Sequence, residues 1–178
     1  MPRSQKPRKR FNPKRHPVDI NPPELAFGQA ALLHPSQRTA ILGKATGAYD
    51  AFRTGGGSAY LWGDLADALN IAQALARRNL ANDHAHKFSA GQAALSAVIA
   101  RKADGGSFTL RPAELVALRD ALDIYEIQLE VCSTREYLEA FDEVKRRTAG
   151  ALQGSVGADT HVVIADYSGA AYSARPAA

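Results

Sequence analysis

The sequence predicts an all-α protein, a compact bundle of four to five helices with disordered N- and C-terminal tails. Three observations carry that prediction. Ala and Leu abound while aromatic residues make up only 7% of the chain, which favours close helix packing over a strand-rich sandwich. Apolar residues recur at intervals of three and four through most of the sequence. Six prolines (Pro2, Pro7, Pro13, Pro17, Pro22 and Pro23) crowd residues 1–23, where each removes a backbone donor and restricts its predecessor, so no helix propagates there.

These features divide the chain into a basic, Pro-rich, disordered arm over 1–23, a helical bundle domain over 24–149, and an Ala/Gly/Ser-rich flexible tail over 150–178. In the bundle, Glu24 to Leu33 suggests a short helix ended by Pro35. Ser36 is then the expected N-cap of a helix to about Arg53, with Ile41, Leu42, Ala45, Tyr49 and Phe52 inward. Gly43 and Gly47 either weaken that helix or admit a close neighbour. Thr54 to Ser58, with three consecutive glycines, reads as a flexible break.

The next helix has Trp62, Leu65, Leu69, Ala72 and Leu75 on one stripe, with Asp64, Asp67, Asn70 and Gln73 placed elsewhere, and ends near Arg77 and Arg78. A helix from about Asp83 to Lys102 buries Phe88, Leu95, Val98 and Ile99, and Asp104 to Ser107 stops it. Pro112 suits the first turn of a helix running to Val131.

That helix carries two apolar stripes. Leu115, Leu118, Leu122, Tyr125 and Leu129 form one; Val116, Ile124, Ile127 and Val131 form the other, on nearly the opposite side. Arg119, Asp123, Glu126 and Glu130 lie between them. A surface helix needs only one apolar face, so the second stripe predicts either a fully enclosed central helix or a helical homodimer. Ser133 to Glu136 matches a capping box and opens a last helix to Arg147. His161 to Ile164 could form one strand, without an obvious partner.

Charge is the most informative part of the composition. Arg3, Lys6, Arg8, Lys9, Arg10, Lys14 and Arg15 precede the first acid, Asp19, and the remainder holds 15 basic against 18 acidic residues, a net of −3. The arm can neutralise several phosphates without sequence preference, and Phe11 and His16 offer rings to unpaired bases. The expected partner is therefore nucleic acid; an acidic host protein would be attracted by the same charge.

The remaining candidates point away from catalysis. His84 and His86 stand two residues apart, so on a helix they diverge by about 200° and cannot share an ion. Asp120, Asp123, Glu126 and Glu130 have no histidine or nucleophile placed beside them by spacing. Cys132 precedes a helix start, where a dipole lowers a thiol's pKa, although a buried inert cysteine is the commoner situation. The glycine runs at 55–57 and 105–106 lack the context of a phosphate-binding loop.

No catalytic residue, metal or cofactor is expected, and the chain is read as acting by binding. A single cysteine fits a reducing cytoplasm. No run of about 18 apolar residues suggests a membrane span, and the first residues lack the apolar stretch of a secretory signal.

The start Pro7-Arg8-Lys9-Arg10-Phe11-Asn12-Pro13-Lys14-Arg15, the helix Leu69-Asn70-Ile71-Ala72-Gln73-Ala74-Leu75-Ala76 and the segment Ala90-Gly91-Gln92-Ala93-Ala94-Leu95 are followed by two later segments that complete one pattern. These are Phe108-Thr109-Leu110-Arg111-Pro112-Ala113-Glu114-Leu115 and Ile127-Gln128-Leu129-Glu130-Val131. On these residues the chain resembles small prophage-encoded proteins of proteobacteria. Such proteins generally lack an assigned activity, so the resemblance implies a phage accessory protein in a bacterial cytoplasm and assigns no functional residues. The loop at 54–58 and the tail after Gly150 depart from the pattern.

Overall fold

A computed structural model of the chain describes residues 30–152, 162–165 and 171–174. The basic arm and residues 24–29 of the first expected helix lie outside the described residues. Five α-helices follow: α1 (Pro35–Arg53), α2 (Ala59–Ala76), α3 (Ala85–Ala103), α4 (Pro112–Val131) and α5 (Thr134–Leu152). A short 3-10 turn, Asn82–His84, precedes α3. The all-α bundle is as the sequence predicts.

α1 begins two residues earlier than expected. His34 is its N-cap, its Nδ1 accepting the Ser36 N–H at 3.3 Å while the Gln37 Oε1 accepts the His34 N–H at 3.0 Å. Pro35 thus opens a helix as its first residue, where its missing N–H costs nothing. Before it, Ala31 to Leu33 runs extended beside the α4–α5 corner. The Leu33 N–H donates to the Cys132 carbonyl at 3.2 Å, and the Thr134 N–H donates to the Ala31 carbonyl at 2.8 Å.

The Gly-rich connection after α1 is a close-packed turn rather than a slack break. Gly55 takes a positive φ of 85°, and a Cβ at Gly57 would fall 2.6 Å from the Phe52 ring and 3.0 Å from the Phe108 carbonyl oxygen. Ser58 then caps α2, accepting the Leu61 N–H. Gly43 and Gly47 meet nothing within 4 Å, so neither serves a close approach.

α2, not α4, is the central helix. It packs on all four other helices, and Trp62, Leu65, Ala66, Leu69, Ala72, Ala74 and Leu75 are among its fully enclosed residues. Alanines around its circumference let neighbours approach from every side. Asn70, expected outside, is buried and accepts from Gln92 Nε2 at 2.9 Å; the same amide reaches Gln73 Oε1 at 3.1 Å. The Trp62 Nε1–H donates to the Leu95 carbonyl of α3 at 3.0 Å. Gly91 lets α3 settle between α2 and α4, since a Cβ there would lie 2.9 Å from Leu69 Cδ1 and 3.2 Å from Ala121 Cβ.

Gln128 of α4 fastens the turn after α2. Its Nε2 donates to the carbonyls of Ala72 (3.1 Å) and Leu80 (2.7 Å). Asn79 and Ala81 on either side of Leu80 hold left-handed φ values of 65° and 59°, which an alanine adopts only under such restraint. α4 starts where Glu114 accepts the Arg111 N–H and, bidentately, the Arg101 guanidinium at 2.5 and 2.7 Å. The Ser133–Glu136 capping box forms as expected: the Ser133 N–H donates to Glu136 Oε2 at 2.8 Å, and the Glu136 N–H donates to Ser133 Oγ at 3.2 Å.

The segment read as a lone strand has a partner. β1 (Val162–Ala165) pairs antiparallel with β2 (Ala171–Ala174), Val162 opposite Ala174 and Ala165 opposite Ala171. The hairpin lies against α2, β1 also nearing α5 and β2 nearing α3. Ala-Tyr-Ser-Ala carries little strand signal of its own, so the pairing was hidden in the sequence.

Candidate functional site

The two stripes of α4 part company. Leu118, Leu122, Tyr125 and Leu129 are buried and Leu115 is half-buried. On the opposite side Ile124 packs against the core, whereas Val116, Ile127 and Val131 are more than half exposed. Among the described residues, therefore, nothing encloses α4 on this side, and the expectation of a central helix fails because α2 takes that position.

The polar strip faces solvent as expected. Arg119 Nε pairs with Asp123 Oδ1 at 3.1 Å, while Glu126 and Glu130 are exposed and make no ion pair among the described residues. The last turn of α4 contains no basic residue, so its negative dipole end is reinforced by these carboxylates rather than offset. Asp120 belongs elsewhere: it pairs with Lys87 of α3, which removes it from any carboxylate pair with Asp123.

The nucleic-acid candidates Arg3, Lys6, Arg8, Lys9, Arg10, Phe11, Lys14 and Arg15 lie outside the described residues. What the structure fixes is where the chain enters the bundle, by the Ala31–Leu33 hydrogen bonds to the corner between α4 and α5. Cys132 at that corner is buried. Burial, and then the Glu136 charge, push its thiol up to about 11, opposite to the lowering that a helix start would give. It is not a reactive thiolate.

The sequence reading missed a cationic cluster between the end of α2 and the last turns of α5. Glu143 Oε1 accepts Arg77 at 3.1 Å and Arg147 at 2.8 Å, and its Oε2 accepts Arg78 at 2.5 Å. Burial works to raise the Glu143 pKa, but the three guanidiniums overcome it and hold the carboxyl below its usual range. Burial and the neighbouring Arg147 charge in turn depress Arg77. Beside this group an open cleft is lined by Arg78, Glu139, Asp142, Lys145 and Arg146. Lys145 Nζ stands 5.6 Å from the centroid of the Phe141 ring, itself 41% exposed. Arg77-Arg78 and Lys145-Arg146-Arg147 are far apart in sequence, so only the α2–α5 packing reveals them as one patch.

Other chemistry is sparse among the described residues. No three of His, Cys, Asp and Glu converge in an arrangement that could hold a metal ion, and the His84 and His86 rings are 6.5 Å apart between centroids. No described helix is long and apolar enough to cross a membrane. No family model matches the chain, and no curated protein or solved structure matches it.

Proposed function

We propose that this chain is a non-enzymatic accessory binding protein that engages nucleic acid, or a nucleoprotein complex, through its basic arm. One observation carries the reading: seven cations lie between residues 3 and 15 with no acid among them, ahead of a bundle whose residues 30–152 hold 14 basic and 14 acidic side chains. Positive charge concentrated on one segment binds polyanions by releasing their counterions, without reading sequence. The resemblance to prophage-encoded proteins supports an accessory role in a bacterial cytoplasm.

Deleting residues 1–16 tests this directly. Titrating labelled single- and double-stranded oligonucleotides at several salt concentrations should show an affinity loss of about 100-fold or more, together with a much flatter salt dependence. Unchanged affinity in the deletion would sink the proposal.

A second reading has its own observation, the exposed Val116, Ile127 and Val131 beside Arg119, Asp123, Glu126 and Glu130. It makes the chain a protein–protein antagonist or adaptor of a host machine (defence or transcription), or a homodimer, through α4. Ile127→Glu should leave the bundle folded, because the side chain already meets water, whereas Ile124→Glu should unfold it. A nuclease-treated pull-down should then retain one protein with the parent and lose it with Ile127→Glu. Light scattering of the same pair tests self-association. Retention of the partner by Ile127→Glu, with no change in mass, would count against the α4 face.

A further inference from the structure

We infer that the cationic cluster between α2 and α5 is a second phosphodiester site, receiving the backbone of a single nucleic-acid strand while Phe141 offers its ring to a base. The inference rests on the nucleic-acid reading above and names a site on the folded body that the arm's charge does not require. Five cations (Arg77, Arg78, Lys145, Arg146 and Arg147) gather around three carboxylates, Glu139, Asp142 and Glu143. Glu143 is already shared by three guanidiniums, and Glu139 is shared between Arg135 and Arg78. Lys145 and Arg146 make no ion pair among the described residues; Arg146 Nε donates only to the Asp142 backbone carbonyl, at 3.2 Å.

The cluster thus keeps positive charge unspent within a bundle whose charges balance only as a whole. An approaching anion would be favoured by the Lys145 ammonium and the Arg146 guanidinium, neither held in an ion pair among the described residues. Asp142 and Glu139 on the cleft wall oppose a compact dianion such as free phosphate. A phosphodiester carries a single charge per residue, which suits a surface where cations exceed carboxylates by two.

Phe141 narrows the choice further. An exposed aromatic ring beside a lysine is the combination on which unpaired bases stack.

The full chain should be compared with Lys145→Gln/Arg146→Gln, with Phe141→Ala, and with the charge-matched control Arg53→Gln/Lys102→Gln, by titrating a labelled single strand across a range of salt. Removing Lys145 and Arg146 charge should weaken single-strand binding on the order of tenfold at low salt and reduce the salt slope by about 1.4, against little change in the control. Phe141→Ala should weaken single-strand binding at least about fivefold while barely moving duplex binding. Circular dichroism melts verify that all variants remain folded, and inorganic phosphate as competitor should displace the strand no better than its ionic strength predicts.

If the double variant binds like the control, the α5 site is wrong and the arm alone binds, which leaves the main reading standing. Strong displacement by phosphate would overturn the phosphodiester assignment. A parent that binds no nucleic acid at all overturns both readings together.

Discussion

Trp62→Ala is expected to destabilise the protein by about 4 kcal/mol, lowering the thermal midpoint on the order of 10 °C. The side chain is fully enclosed in α2, the helix that touches every other one. Its loss opens a cavity where α2 meets α3 and removes the indole hydrogen bond to the Leu95 carbonyl. Neighbours cannot collapse freely into the space, because Gly91 already brings α3 to its limit against Leu69 and Ala121. Trp62→Phe, which keeps an aromatic ring but not the N–H, should lose much less, about 1 kcal/mol for the hydrogen bond together with a repacking cost. Trp62 is the sole tryptophan, so helical ellipticity rather than tryptophan fluorescence must report the melts. A Trp62→Ala protein melting within a few degrees of the parent would refute the central placement of α2.

The starts of α4 and α5 were legible because proline and capping residues punctuate this sequence strongly, whereas α1 begins two residues early and α5 runs past Arg147 to Leu152. Pro112 to Val131 and the Ser133–Glu136 box appear where their residues predicted. Which helix lies at the centre was not legible. A periodicity argument counts large apolar side chains, and by that measure the helix with two stripes looked enclosed. Alanine contributes little to such a pattern, yet Ala66, Ala68, Ala72 and Ala74 are what allow four neighbours to close on α2. Asn70 was misread for a related reason, since its Oδ1 accepts the Gln92 Nε2–H in the interior and it does not need the solvent that its polarity suggests.

The functional candidates divide along the same line. Local charge density is written in consecutive residues, so the basic arm could be read directly. The α5 cleft depends on Arg78 reaching across to Glu143, a contact between residues 65 apart. Net charge summed over the body concealed it, because Glu126 and Glu130 on α4 cancel arithmetically the cations of another surface. Charge sums locate partners only once packing shows which charges are neighbours.

Glu143→Gln should move stability and nucleic-acid binding in opposite directions. The carboxylate offsets part of the charge of three guanidiniums while its own side chain is only 18% exposed. An amide in its place leaves that charge uncompensated, at a cost of about 2 kcal/mol, less than for a fully buried network because Arg77 and Arg147 are partly solvated. The same change makes the cleft more positive, so single-strand affinity should rise.

The pH dependence follows from the depressed carboxyl. Its stabilising effect is fully present above the unfolded-state pKa of about 4.3 and disappears as pH falls through the lower, folded-state value. Urea unfolding of the parent should therefore show stability falling below about pH 4.3, and Glu143→Gln should flatten part of that decline. Glu114 and Glu136 contribute in the same sense. Burial opposes the depression at Glu114, but bonding to Arg101 and the Arg111 N–H prevails; at Glu136 the Ser133 N–H and hydroxyl lower the pKa directly. If Glu143→Gln were as stable as the parent at pH 7 and bound single strands more weakly, the carboxylate would be neither the centre of the cluster nor its restraint on anions.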